Sequence, residues 1–208
     1  MKLNYVMATA LIAAACGNPV AKEPPTSTEV ALLEGEQKTS SDPAVNPNAA
    51  VMAEFKARVD KYAKLHKDLA RGEARQKDDS QPARINAAKA ALAEKLIKAR
   101  AGASQGDIFF PEARAVFRKL LAPELKGEEG RDAKAILKDD APAPGTVPFK
   151  VNAKYPENQP LPTVPAPLLL TLPQLPEPLE YRIVGQHLLL LDTEAGVIVD
   201  YMLNAIAT

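Results

Sequence analysis

The sequence predicts an α+β fold in which a helical half precedes a short antiparallel sheet. Three observations support this prediction: apolar residues recur every three or four positions over two long segments, prolines are then concentrated between residues 141 and 178, and the last thirty residues contain short strand-like apolar segments separated by glycine-containing turns. We expect residues 51 to 206 to form one domain, made of a helical region (51 to 140), a proline-rich segment (141 to 178) and a β-meander (179 to 206).

Two long amphipathic helices are predicted first. Residues 50 to 71 place an apolar stripe opposite a charged face, and a second helix runs from about Pro82 to Ala101. Neither helix can bury its stripe alone, so we expect an N-terminal helical hairpin, followed by two shorter helices at 111 to 121 and 130 to 138. The predicted buried residues are Met52, Phe55, Val59, Tyr62, His66 and Leu69 in the first helix and Ile85, Ala88, Leu92, Leu96 and Ala99 in the second.

The segment from 141 to 178 contains eleven prolines, each of which lacks a backbone donor. Long helices and central strands are therefore excluded there. Its many apolar residues predict that it wraps the core, with a short strand near 147 to 151 and a helical turn near 166 to 171. A partner-docking surface is the alternative interpretation of this segment.

The C-terminal region predicts a three-stranded antiparallel meander. Leu179, Tyr181 and Ile183 alternate with polar residues, and Gly185-Gln186 is typical of a two-residue turn that needs positive φ at its first position. The unbroken leucine run from 188 to 191 indicates a second strand that is covered on both faces.

The first sixteen residues, MKLNYVMATALIAAAC, predict a signal peptide over residues 1 to 15. Their apolar run is about half of the roughly 20 residues that a membrane-spanning helix needs. The sequence AAAC resembles the lipobox of bacterial lipoproteins, which implies that Cys16 is acylated and anchors the chain to a membrane. Gly17 after the cysteine resembles lipoproteins sorted to the outer membrane. Ordinary cleavage after Ala15, which leaves Cys16 unmodified, is the alternative.

Residues 16 to 50 are rich in Pro, Ser, Thr, Asn and Glu, and this composition predicts a disordered tether after the lipidated cysteine. Cys16 is the chain's only cysteine, so no intramolecular disulfide can form. The formal net charge is zero, which offers no electrostatic basis for binding nucleic acid.

Two resemblances extend over the folded region. The stretches AGASQGDIFFPEARAVFRKLL and KVNAKYPENQPLPTVPAPLLLTLPQLPEPLEYRIVGQHLLLLDTEAGVIVDYMLNAI resemble a family of secreted bacterial proteins of unassigned function, over about residues 50 to 206. That resemblance implies boundaries and no chemistry. The pattern YRIVGQHLLLLDTEAGVIVD also resembles the β module of small periplasmic proteins of nickel and cobalt homeostasis.

The sequence offers few candidates for metal binding. His66 and His187 are the only histidines, and a site would need both of them with Asp192 or Asp200. The favoured interpretation is a His66 that is partly buried with a single hydrogen bond or lies at the edge of the apolar stripe, and a solvent-facing His187.

No catalytic residue is predicted. The serines lie in the tether or in polar loops outside a nucleophile motif, and the acidic pairs are tandem neighbours of the kind found in solvated loops. No phosphate-binding loop is present, and no cofactor is predicted.

In the segment GDIFFPE, residues 106 to 112, two adjacent phenylalanines precede the predicted helix at 111 to 121. In the simpler interpretation, Ile108 and one phenylalanine belong to the core while Asp107 accepts backbone donors in the loop. In the other, Phe109 or Phe110 is exposed and contacts a second envelope protein.

These observations favour a cell-envelope lipoprotein without catalytic activity that acts as a binding or structural module. Its expected location is the outer membrane, facing the periplasm, with the membrane and an envelope protein as partners. Two alternatives are a metal- or stress-responsive periplasmic protein and a hydrolase whose site is formed by residues distant in sequence.

Overall fold

The computed structural model describes residues 47–71 and 82–206, and all of these fall within one compact unit. The predicted signal peptide, Cys16 and the tether up to residue 46 lie outside the described residues. The α+β class is confirmed. The described elements are α1 (Pro47–Ala70), α2 (Pro82–Ala99), α3 (Pro111–Glu124), α4 (Gly127–Asp139), α5 (Ala166–Thr171), β1 (Leu179–Val184), β2 (His187–Asp192) and β3 (Val197–Met202).

The three strands form the predicted antiparallel meander, in the order β1-β2-β3. Val184 pairs with His187 across the tight turn, where Gly185 has a φ of 60°, and the register shifts once between Leu190 and Leu191 where β2 meets β3. The positive φ explains why glycine occupies the first turn position.

The helices cover one face of the sheet. α1 packs against α2 and α3, and α3 packs against α5. At the centre, the rings of Phe55, Phe109 and Phe117 lie 4.9 to 5.7 Å apart, and Phe117 reaches Tyr181 of β1 at 6.1 Å. Burying four aromatic side chains together contributes much of the apolar stabilisation of the helix–sheet interface.

Residues of the proline-rich segment cover the other face. Val147 and Tyr155 join Leu189, Leu191 and Ile198 in a second, smaller buried cluster. The prediction that the leucine run is covered on both faces is therefore correct, because alternate leucines belong to different clusters.

The predicted buried face of α2 is partly wrong. Ile85 is 57% exposed and Ala99 is exposed, whereas Leu92, Ala93 and Leu96 are buried. The core contacts of α2 lie between Leu92 and Ile97, so within the described residues the apolar side chain of Ile85 in its first half is left largely exposed.

The strand predicted at 147 to 151 is absent from the described structure. The chain joins the sheet only at Asn152, whose φ is 63°. Asn152 and Tyr155 then donate backbone hydrogen bonds to Ile198 and Gly196, and Ile198 donates to Ala153, so residues 152 to 155 line the outer edge of β3. The helical turn predicted at 166 to 171 is confirmed as α5.

A buried glycine in the first turn of α4 provides a stability test. A Cβ added to Gly130 would lie within 3.0 Å of three backbone atoms of Leu125, including the carbonyl oxygen at 2.6 Å. Because backbone cannot move aside as a side chain can, Gly130→Ala should lower the free energy of unfolding by about 3 kcal/mol. Gly102→Ala, where nothing lies within 4 Å, is the control and should be nearly neutral in urea denaturation.

Candidate functional site

The most unusual side-chain cluster surrounds His66, which projects from α1 and is only 4% exposed. Its Nδ1 lies 2.6 Å from Oδ2 of Asp192, and its Nε2 lies 3.0 Å from Oε2 of Glu194. The predicted single hydrogen bond is therefore wrong, because both ring nitrogens face carboxylates. Both carboxylates come from the end of β2 and the turn that follows, more than 120 residues away in sequence.

Asp192 is fully buried and is the centre of this cluster. Besides His66, it accepts the Tyr62 hydroxyl at 2.7 Å and the Ala195 backbone N–H at 2.8 Å. Burial, and then the Asp192 charge, raise the pKa of Tyr62, so its hydroxyl stays protonated and donates. Tyr62 and His66 are four residues apart, which places both on one face of α1.

The geometry indicates that His66 is an imidazolium. Each ring nitrogen can satisfy a carboxylate oxygen only by donating an N–H, and both are in place. Burial is the largest single influence and lowers the pKa of His66, but the hydrogen bonds and charges of Asp192 and Glu194 together outweigh it and raise that pKa above 6.5.

This raised pKa predicts a pH dependence of stability. Because the folded state binds the proton more tightly than the unfolded state, the contribution of His66 is complete below about pH 6.5 and is lost as the pH rises through the folded-state pKa. The free energy of unfolding of the native chain, relative to His66→Gln, should therefore fall as the pH rises from about 6.5 through the raised folded-state pKa of His66. Urea denaturation across this range measures it, and a difference that rises with pH would contradict the imidazolium assignment.

An open cleft of about 650 Å³ lies beside the cluster, lined by His66, Lys64, Lys67, Pro178 and Glu194 among others. Histidine supported by a buried aspartate is a common arrangement for a general base. Here Nε2 carries a proton towards Glu194 and has no free lone pair. Among the described residues that line the cleft there is no serine, threonine or cysteine to act as a nucleophile.

The structure does not bring the two histidines together. His187 begins β2 and Asp192 ends it, a separation of about 16 Å at the usual rise of a strand. His187 is half-buried, accepts the Asn204 N–H at 3.0 Å and contacts the ring of Phe149 at 4.6 Å, so it is not the solvent-facing residue expected. No group of three potential ligands suited to a metal ion occurs in residues 47–71 and 82–206.

The second buried carboxylate, Asp200 in β3, holds the loop before α3. Its two oxygens accept the backbone N–H groups of Gly106, Ile108, Phe109 and Tyr201 at 2.8 to 3.0 Å. Sequence reasoning considered Asp200 only as a metal ligand. The sequence did contain a signal: Asp200 is an acidic residue within an otherwise apolar strand. A buried charge requires hydrogen-bond partners, so partners for Asp200 could have been expected.

The two phenylalanines of this loop have different environments. Phe109 is fully buried, so the prediction that it contacts a partner is wrong, and it is the core phenylalanine of the simpler interpretation. Phe110 is half-buried, and the guanidinium of Arg58 lies 4.4 Å from its ring centroid. A partner contact through Phe110 stays a prediction. Asp107 accepts the Ser104 N–H at 3.0 Å, as expected.

A second open groove, of about 730 Å³, runs between β1 and α5. Two leucines that line it remain at the surface: Leu170 is 85% exposed and Leu169 is 50% exposed. α5 therefore buries Leu168, and Leu172 just after the helix is also buried, while Leu169 and Leu170 face outward. The proline-rich segment therefore contributes side chains to the core, as in the first interpretation, and also leaves apolar surface available for docking, as in the second.

Comparisons with known protein families, with curated sequences and with solved structures found no match for this chain. In the described part of the chain, no helix combines the length and the apolar character required to cross a bilayer.

Proposed function

We propose that this protein is a cell-envelope lipoprotein, anchored through acylated Cys16, and that its folded domain is a non-catalytic binding or structural module. The expected location is the outer membrane, facing the periplasm. The anchor rests on the resemblance of Ala13-Ala14-Ala15-Cys16 to a lipobox, and the binding role rests on the groove between β1 and α5.

The exposed leucines carry the binding proposal. Exposure of a side chain as large and apolar as that of Leu170 to water is unfavourable in free energy. Leu170 lines a groove together with further leucines. Contiguous apolar surface of this kind marks protein interaction sites. The most conspicuous titratable cluster is, by contrast, internally satisfied, since His66 and Tyr62 each hydrogen-bond to Asp192.

The anchor can be tested by intact mass. The protein recovered from the membrane fraction should have the mass of residues 16 to 208 plus acyl groups, and Cys16→Ser should move it to the soluble fraction. An unmodified Cys16 in soluble native protein would reject the anchor.

The binding surface can be tested by site-specific photo-cross-linking in the expressing cells. A photoreactive residue at position 170 should give a discrete cross-linked protein, whereas the same residue at position 85, on an exposed part of α2, should give none. Equal labelling at both positions would reject the groove as a specific site.

A hydrolase is the second candidate, favoured by the His66–Asp192 pair beside an open cleft. It requires that Glu194 leave Nε2 so that the imidazole can accept a proton. Ester, peptide and phosphoester substrates should be tested with the native chain and with His66→Ala. Turnover that His66→Ala abolishes in a still-folded protein would replace the binding proposal.

A further inference from the structure

The α1 side of the cleft beside the His66 cluster carries a row of cationic side chains. Lys64, Lys67 and Arg71 line the cleft together with His66. Positions 64, 67 and 71 are spaced by three and four residues, so these side chains follow one stripe of the helix. Arg71 pairs with Asp68 at 3.3 Å, whereas Lys64 and Lys67 form no ion pair within the described residues. The two lysines therefore offer unneutralised charge to a ligand in the cleft.

Glu194 is the outer acceptor of the His66 cluster. Its Oε2 accepts the Nε2–H of His66 at 3.0 Å, and its side chain is 49% exposed. The Glu194 side chain has no other hydrogen bond or ion pair within the described part of the chain. An exposed group held by one hydrogen bond is in constant competition with water, so the net contribution of the bond is small. Another anion can therefore take the place of this carboxylate.

The backbone around Glu194 is fixed, so the exchange needs only a rotation of its side chain. The Ala195 N–H donates to the Asp192 carboxylate at 2.8 Å. Thr193 donates to the Pro178 carbonyl through its N–H at 3.1 Å and through its hydroxyl at 3.0 Å. Rotation of the Glu194 side chain would leave the imidazolium Nε2–H directed into an otherwise intact cleft.

We propose that this cleft binds a phosphate monoester, which replaces Glu194 as the acceptor of the His66 Nε2–H and pairs with Lys64 and Lys67. A phosphate monoester has three terminal oxygens and nearly two negative charges at pH 7. It can accept from one imidazolium and two ammonium groups at once, whereas a carboxylate has only two oxygens. The volume of about 650 Å³ is typical of small-molecule sites. The cleft shares no lining residue with the groove between β1 and α5, so the inference does not rest on the binding function proposed for that groove.

Binding at this site should depend on the protonation of His66. Its Nδ1 faces Asp192, so the ring can donate to a ligand through Nε2 only as an imidazolium. In the neutral ring, Nδ1–H would still donate to Asp192, and the Nε2 lone pair would repel an anion. The other charged or titratable groups on the elements packed around the ring are Tyr62, Lys64, Lys67, Arg71, Lys89, Arg100, Glu177 and Glu194. Tyrosine, lysine, arginine and glutamate side chains ordinarily titrate outside the neutral range, so a loss of binding near neutral pH would report His66.

Proton NMR of the Cys16→Ser chain, which cannot be acylated, tests the site directly because the chain has only two histidines. Sulfate is the probe, since it is tetrahedral and keeps both charges across the titration, whereas a phosphate monoester has a second pKa of about 6. Saturating sulfate should raise the titration midpoint of His66 by about one pH unit. His187, at the other end of β2, is the internal control and its midpoint should not move.

Calorimetric titration with glycerol phosphate near pH 6 measures the affinity, with an expected dissociation constant of about 1 mM or tighter. His66→Gln should weaken binding about tenfold and Lys67→Gln about threefold. Glu194→Gln should tighten binding about threefold, because it removes the competing carboxylate. Lys119→Gln makes the same charge change as Lys67→Gln on an exposed residue of α3 and should leave the affinity unaltered. Circular dichroism confirms that each variant is folded.

Vesicles distinguish a lipid headgroup from a soluble ligand. The Cys16→Ser chain is sedimented with phosphatidylcholine vesicles that contain or lack phosphatidic acid, whose headgroup is a phosphate monoester. Sedimentation that requires phosphatidic acid and is reversed by glycerol phosphate would support the site and assign it to a lipid. Binding of glycerol phosphate without sedimentation would support the site and assign it to a soluble molecule.

Equal movement of both histidine midpoints would indicate a general effect of salt and would overturn the inference. An affinity that Glu194→Gln lowers would do the same. Absence of binding up to about 10 mM ligand would mean that the lysines only offset the dipole at the C-terminal end of α1. Release of inorganic phosphate that His66→Ala abolishes would replace this binding site with the hydrolase. None of these results alters the cross-link from position 170, which tests the other groove.

Discussion

Asp200→Asn is expected to lower the free energy of unfolding by about 3 to 5 kcal/mol. The Asp200 carboxylate is fully buried and accepts four backbone N–H groups, two on each oxygen. An asparagine side chain has one carbonyl oxygen, and its amide nitrogen would face N–H groups that it cannot accept. At least one buried N–H is then left without an acceptor, which is costly in the interior.

Urea denaturation of Asp200→Asn measures this effect, with Asp107→Asn as a matched control. Asp107 lies in the same loop but is exposed, and within the described residues its carboxylate accepts hydrogen bonds only from the N–H and the hydroxyl of Ser104. The control should lose about 1 kcal/mol or less. Similar losses in the two variants would show that the Asp200 contacts do not stabilise the loop before α3.

His66→Ala is expected to destabilise the fold by about 3 to 5 kcal/mol near pH 6, because it leaves the buried Asp192 charge without its cationic partner. Asp192 would keep the Tyr62 hydroxyl and the Ala195 N–H, which carry no net charge. His187→Ala is the control, since His187 has no carboxylate partner in the described structure and accepts one exposed backbone N–H.

A double-mutant cycle separates this pair from general loss of packing. Asp192→Asn removes the buried negative charge, so His66→Ala should cost about 1 to 3 kcal/mol less in that background than in the native chain. Additive losses would mean that the 2.6 Å contact contributes no coupling energy.

The elements that are determined locally were predictable from the sequence. The β-meander follows from short-range alternation and from a turn in which Gly185 must adopt positive φ. α5 follows from the short proline-flanked run of leucines, whose length is limited by the prolines themselves.

Features that depend on distant partners were not predictable. The face that α2 buries is set by contacts elsewhere in the fold, and an alanine-rich helix distinguishes poorly between Ala93, which is buried, and Ala99, which is exposed. The partners of Asp200 are backbone N–H groups, which every residue type except proline provides, so no sequence pattern records them. Glu194 was not singled out because its relation to His66 spans 128 residues.

The long sequence separation between α1 and its charged partners also determines when the protein can fold. Chains emerge from the ribosome amino terminus first, so α1 exists long before Asp192 and Glu194 are available to it. Until then Tyr62 and His66 have no carboxylate partners, and the apolar stripe of α1 lacks the sheet that covers it. Contacts of this separation slow folding, because a long loop must close before they stabilise anything. Completion of the native state therefore depends on the last hairpin to be synthesised, and a chain that ends before residue 192 should remain a substrate for chaperones and proteases.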